Sequence, residues 1–403
     1  MISATVNLYR NAYTGLNRRM WLLAVVMLIN RSGTMVLPFM TLYCKHIGYS
    51  TQQGGWVVAI YGIGALVGAF LGGKISDRFG FYYTQFSSLL CGGFLFFTLG
   101  QMNTYLSICV CTFFLSMFNE SFRPANSTAI AHYSTPQNRS QSFSIARLAI
   151  NVGWGVGSAM GGLLAHINYH LLFWVDGSTN ICASFLLLWL LPKVTLAQQR
   201  QKPKDVQAPV VKTVSAYKDK NFLYFVCLQV LFAICFFQLF TTIPLYFNES
   251  LKLNESLIGL VMAMNGTIIA LFEMIIVFKF EGRVPYLRLM TYGSVLMAIS
   301  FFMLNIPLAS GFLVAVFATI VVTMAEMIAM PFMNSWYISR STEGNRGQYA
   351  ALYTMAWSAA QVIGSSSGTQ VAHNLGFNNL WWIIGSICLV NALGYSWLQT
   401  KKS

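Results

Sequence analysis

Six charged side chains sit where charge is costly: Arg31, Arg123 and Arg147, with Glu120, Glu273 and Glu326, all lie inside long apolar runs. An ionised group at membrane depth costs at least about 2.5–3.5 kcal/mol, so each must face a partner or a water-filled cavity. Glu120 and Arg123 are three residues apart and share one helical face. A neighbouring cation favours the carboxylate, whereas a dry site favours the protonated acid. If the distance to Arg31 and Arg123, or the wetness, changes with conformation, Glu120 becomes a proton-coupling group. The alternative is a static buried ion pair that fixes helix packing. Glu326 has no basic residue nearby in sequence and reads as a carboxylate for a proton or a substrate. Glu273 either faces the same cavity or packs against the next helix. Arg147, two turns from a helix end, either snorkels toward the interface or gates the path. Asp176 reads as a helix-start carboxylate at a favourable dipole end, and His166 and His373 as interfacial hydrogen-bonding groups.

The elements that carry these residues follow from composition. Charged residues make up 9% of the chain and hydrophobic ones 56%, against the roughly 25% charged of a soluble domain. A helical crossing needs roughly 20 apolar residues. Runs of that length fall at 20–43, 52–73, 80–100, 105–131, 141–165 and 170–191, then at 221–247, 256–279, 285–305, 310–336, 346–373 and 378–399. The stretch ahead of the first run lacks the pattern of a cleaved signal, so that run is expected to be a retained span. The division is a six-span N-terminal bundle (1–191), a basic linker (192–220) and a six-span C-terminal bundle (221–403). Twenty of the 25 Lys and Arg residues fall on the side of the tails, the linker and alternate loops, and only Lys45 and Lys252 on the other. The positive-inside rule then places both termini and the linker in the cytoplasm. A net charge of +14 scattered between apolar runs excludes the single basic face that nucleic acid requires. The eight cysteines lie in or beside apolar segments and read as small core residues.

The halves repeat at an offset of 207 residues: Asn138, Arg139 and Gln141 recur as Asn345, Arg346 and Gln348, Gly157 and Gly161 as Gly364 and Gly368, and Pro124 as Pro331. At the turn after the second run stands Gly73-Lys74-Ile75-Ser76-Asp77-Arg78-Phe79-Gly80, which resembles the G-x-x-x-D-R-x-G signature of the major facilitator superfamily. Gly153, Gly157, Ser158, Gly161 and Gly162 resemble that family's antiporter motif, with Ser158 in place of proline, although plain helix packing explains the glycines equally well. Arg123-Pro124-Ala125-Asn126-Ser127 loosely resembles the R-x-x-Q-G motif of proton-coupled drug exporters. The resemblance is nearest to the twelve-helix drug/proton antiporter branch. It implies an all-α membrane protein whose twelve transmembrane helices form two pseudo-symmetric six-helix bundles, the major facilitator fold. It further implies a gating role for Gly73, Asp77, Arg78 and Gly80. Spans 1, 4, 7 and 10 would line a central cavity where Arg31, Glu120, Arg123 and Glu326 meet. Phe236, Phe237, Phe240, Tyr246 and Trp336 are either walls of an apolar pocket there or lipid-facing aromatics.

The expected function is proton-coupled export of small amphipathic molecules by alternating access, in the plasma membrane (the inner membrane of a bacterium). The rival is a symporter importing an anionic metabolite or short peptide, with Arg31 and Arg123 on the substrate carboxylate. The expected partners are the solute, protons and the bilayer, the expected state is a monomer, and no cofactor or metal is called for. One proton moving down about 100 mV releases roughly 2.3 kcal/mol, enough for about fifty-fold accumulation of a neutral solute. Neither a nucleotide-binding loop nor a nucleophile paired with a base is present, which argues against an ATP motor or an enzyme. A receptor on the same scaffold would want a large extra domain, and the linker of about thirty residues is too short.

Overall fold

A computed structural model describes residues 13–194, 215–253, 255–306, 310–342 and 344–401. Among them the chain is almost wholly helical, with no strand, as hydrocarbon demands of a backbone that must satisfy its own N–H and C=O groups. Fourteen helices make the twelve expected crossings. In the N-terminal half these are α1 (Arg18–Ser32) and α2 (Val36–His46), then α3 (Thr51–Phe79), α4 (Phe81–Leu99), α5 (Tyr105–Tyr133), α6 (Arg139–Ile167) and α7 (His170–Leu190). In the C-terminal half they are α8 (Lys220–Phe237) and α9 (Thr242–Glu249), then α10 (Glu255–Phe280), α11 (Tyr286–Met303), α12 (Gly311–Arg340), α13 (Arg346–Leu375) and α14 (Phe377–Thr400).

The first and seventh runs, expected to be continuous, are each broken. Pro38 and Pro244 are the reason: each is the third residue of the outer piece, α2 and α9 respectively. A proline there is tolerated in a first turn but clashes with the carbonyl four residues earlier if the helix runs on. The first break, at Gly33 to Met35, is held from α7. Asp176 accepts hydrogen bonds from the Met35 and Val36 N–H groups at 2.8–3.1 Å, capping α2. Asn30 donates to Asn180 one turn further along α7. Asp176 is therefore a cap for another helix's N-terminus rather than for its own. In the second break Gln238 donates to the Gly364 carbonyl and accepts from the Thr242 hydroxyl.

Nine of the crossings are apolar enough to span a membrane on composition alone. The three that fall short are α4, α6 and α13. Of these, α6 packs on α10 and α12 and α13 on α3 and α5, so both line the boundary between the halves. Their glycines permit close approach. A Cβ at Gly153 would strike Arg31 and the Leu28 carbonyl of α1, and one at Gly161 would crowd Met35 and Phe39.

Most of the linker lies outside the described residues. Its end, Ala216–Lys218, is a turn of 3-10 helix leading to Asp219. Asp219 caps α8 through the Phe222 N–H, binds the Arg340 fork at 2.8 and 2.9 Å and accepts from the Tyr349 hydroxyl at 2.9 Å. Burial alone would raise this carboxyl, but the Arg340 fork, the Phe222 N–H and the Tyr349 hydroxyl together hold it below the ordinary range. A lowered value means that its contribution is complete above the ordinary carboxylate pKa and is lost as pH falls through the lowered one. Asp219→Asn is expected to cost about 1–2 kcal/mol at pH 7. Melting curves of wild type and variant should converge only below about pH 4.

Candidate functional site

Two charged clusters lie deep between the helices. In the N-terminal half, Glu120 of α5 pairs with Arg123 at 2.7 Å, one turn along the same helix. Tyr61 of α3 donates to Glu120 at 3.5 Å. Arg31, at the end of α1, lies within electrostatic reach of Arg123, Glu120 and Tyr61. It also borders a cavity of about 20 Å³, room for about one water molecule, together with Asn30, Tyr61, Asn119, Asp176 and Asn180. The break in the first crossing thus ends α1 at Arg31, beside a small cavity whose lining mixes these polar groups with Val36, Leu37, Met40 and Phe96. Arg31, Glu120 and Arg123 all belong to one half, so rocking of the halves leaves their separations unchanged. Arg123 is 41% exposed.

The second cluster joins the halves. Arg147 of α6 forks onto two carboxylates of the other half: Nη1 to Glu273 at 2.8 Å on α10, and Nη2 to Glu326 at 2.7 Å on α12. Both glutamate side chains are at most 3% exposed and Arg147 only 18%. Snorkelling is thereby corrected: Arg147 points toward partners, because a guanidinium gains more from two buried carboxylates than from a distant interface. Asn265 donates to Glu326 at 3.1 Å and to the Thr323 hydroxyl at 2.9 Å, which fixes the carboxylate from its far side. At 1.5 Å per residue, Arg147 starts about 12 Å from the basic-loop end of α6, whereas Glu326 lies about 21 Å from that end of α12.

Nearer that face the halves are latched by backbone. Asp77, at the end of α3, accepts from the Gly347 and Gln348 N–H groups at 2.7 and 3.0 Å, at the N-terminus of α13. Glu281 accepts from the Ser140 and Gln141 N–H groups at the start of α6. Burial pushes Glu281 above the usual carboxylate value, against the pull of those donors. Gly80 has φ +94°, which lets the chain turn from α3 into α4. Arg78 is exposed, its guanidinium 5.4 Å from the Phe79 ring. Gly73 is the contact point: a Cβ there would run into the Gly347 carbonyl and Ala351. Gly73→Val is therefore expected to hold this end open. Transport should fall by about tenfold or more, while a cysteine placed at the base of α3 becomes accessible to thiol reagents.

Of the expected aromatic wall, Phe236 and Phe237 gather with Trp357, at ring distances of 5.5 and 5.8 Å, and Phe240 lies beside Phe236. Tyr246 and Trp336 instead belong to the buried core, Tyr246 donating to the Leu304 carbonyl at 2.7 Å. His373 is exposed beside Asn374. The surroundings of Ser158, Gly162 and His166 lie outside the described residues. Sequence reasoning missed Tyr61, Asn119, Asn265, Thr323 and Glu281. One signal was at hand, since Asn119 is the counterpart of Glu326 at the 207-residue offset.

The sequence profile of the Major Facilitator Superfamily matches residues 20–365. A Na(+), Li(+), K(+)/H(+) antiporter of Planococcus maritimus is 25% identical over 398 residues, spanning 92% of this chain and 93% of the relative. Multidrug resistance protein 2 of Bacillus subtilis is 20% identical, spanning 91% of this chain and 92% of its own. Among solved structures, a bacterial homologue of the iron transporter ferroportin in the outward-facing state aligns with a TM-score of 0.74 at 14% identity, covering 95% of this chain and all of the other. With twelve crossings, a duplicated six-helix plan, an inter-half charge cluster and a profile match over most of its length, the chain belongs to the Major Facilitator Superfamily.

Proposed function

We propose that the protein exports small amphipathic molecules across the plasma membrane in exchange for protons, by alternating access. The observation that carries this reading is Arg147, which reaches from one half to Glu273 and Glu326 of the other. Two carboxylates against one guanidinium leave an unbalanced negative charge that a proton can cancel, and the whole cluster is taken apart when the halves rock. The named inter-half bonds crowd toward the basic-loop face. Taking that face as cytoplasmic makes this the state closed to the cytoplasm. Relatives named as a cation/proton antiporter and a multidrug resistance protein support exchange as the mode. Phe236, Phe237 and Trp357 supply an apolar wall for such a solute.

A second reading rests on Arg31, which borders a small cavity and makes no ion pair among the described residues. With Arg123 it would hold a substrate carboxylate, and the protein would import an anion with protons. Inverted vesicles with an imposed interior-acid gradient separate the two. Export predicts accumulation of lipophilic dyes or drugs inside them. Solute uptake in right-side-out vesicles with no accumulation in inverted ones would overturn it.

A further inference from the structure

Resting on the reading of proton-coupled export, we propose that the exchanged proton is carried by Glu273, while Glu326 stays ionised as the anchor of Arg147, with Asn265 as its positioning residue. Two buried carboxylates on one guanidinium titrate as a pair, so charge alone does not choose between them. Their hydrogen-bond partners do. A carboxylic acid needs an acceptor for its proton, whereas a carboxylate needs donors only.

Glu326 meets donors on both oxygens. Its Oε2 accepts from Arg147 Nη2 at 2.7 Å and its Oε1 from Asn265 Nδ2 at 3.1 Å. The other neighbour of Asn265 fixes which way its amide points. The Thr323 hydroxyl donates its one proton to the Thr319 carbonyl at 2.6 Å, so it can only accept from Asn265, at 2.9 Å. The Asn265 atom shared by Thr323 and Glu326 is therefore the NH2 nitrogen, and a proton on either oxygen of Glu326 would point at a donor. A buried donor that meets a donor loses its bond and stays unsatisfied. Glu273 differs on one side. Arg147 Nη1 donates to its Oε2 at 2.8 Å, but its second partner is the Ser144 hydroxyl of α6. A hydroxyl donates to a carboxylate and accepts from a carboxylic acid, so Glu273 is satisfied with or without a proton. The charged and titratable groups that face Glu273 among the described residues are Arg147 from α6 and Glu326 from α12. The phenol of Tyr353 on α13 lies within electrostatic reach of Arg147.

A glutamine amide copies the shape of a protonated glutamate, accepting at one atom and donating at the other, so it reports which position accommodates a proton. The test is thermal unfolding of the purified full-length protein as wild type, Glu273→Gln and Glu326→Gln. In Glu273→Gln the new amide can turn its oxygen to Arg147 and its NH2 to Ser144. This variant should melt above wild type at about pH 8.5, and the gap should close toward about pH 6 as wild type takes up its proton. In Glu326→Gln the NH2 must meet either Arg147 or Asn265, so this variant should melt at least about 2 °C below Glu273→Gln at both pH values, or fail to fold where Glu273→Gln folds. Adding Asn265→Ala to each should narrow that difference, because the donor opposite position 326 is gone. An unnarrowed difference overturns the role of Asn265. Glu273→Gln should also lose proton-driven export. Normal proton-driven export by Glu273→Gln, or a Glu326→Gln protein that melts level with it or higher, overturns the assignment. Vesicle export by the wild type keeps the two readings apart. Proton-driven export with the variants in the wrong order sinks the assignment alone, and the expected order without proton-driven export sinks the exporter alone.

Discussion

Arg147→Ala is expected to lower stability by about 3–5 kcal/mol and to abolish proton-driven export. Removing one member of a buried ion-pair network leaves the others uncompensated, which costs far more than the network contributes. Here Glu273 and Glu326, both of the C-terminal half, would lie buried at its boundary with the other half with no counter-charge. The carboxylates can escape only by taking up protons, so the variant's melting temperature should fall steeply as pH rises. Arg147→Lys keeps the charge but loses the planar fork that serves two acceptors at once. It should recover part of the stability and little of the transport. Combining Arg147→Met with Glu273→Gln and Glu326→Gln removes every charge and should melt near wild type, still without export. If the alanine variant melts within 1 °C of wild type at pH 8 and exports normally, the cluster holds nothing together.

Glu120→Gln is expected to separate transport from stability in the opposite sense. Its partner Arg123 is 41% exposed, so the ion pair itself contributes about 1 kcal/mol or less. The melting temperature should therefore move little. Proton-driven export should nonetheless fall to background, while exchange of labelled for unlabelled solute across the membrane persists in part. The substitution leaves Arg31 and Arg123, which lie within electrostatic reach of each other, without the Glu120 carboxylate. Equal loss of both activities would identify Glu120 as a packing group.

These two experiments rest on residues that were legible to different degrees. Glu120 and Arg123 could be paired from the sequence because helical spacing alone brings them onto one face. Asp77 and its glycines were readable because they form a contiguous motif. The breaks in the first and seventh crossings had a local sign in Pro38 and Pro244, yet hydropathy reads through a proline without notice. The partners that hold those breaks, Asp176 at Met35 and Gln238 at Gly364, had none.

The number of crossings, their duplication and the uneven distribution of Lys and Arg were accessible without coordinates, because bilayer thickness and the cost of moving charge act on short stretches of chain. The bridge from Arg147 to Glu273 and Glu326 was not, since those residues stand 126 and 179 positions away. Their meeting depends on how α6 seats against α10 and α12, a surface match between two bundles that leaves no period or motif along the chain. Packing between the halves turned three isolated charges into one cluster, and that cluster is where the proposed coupling resides.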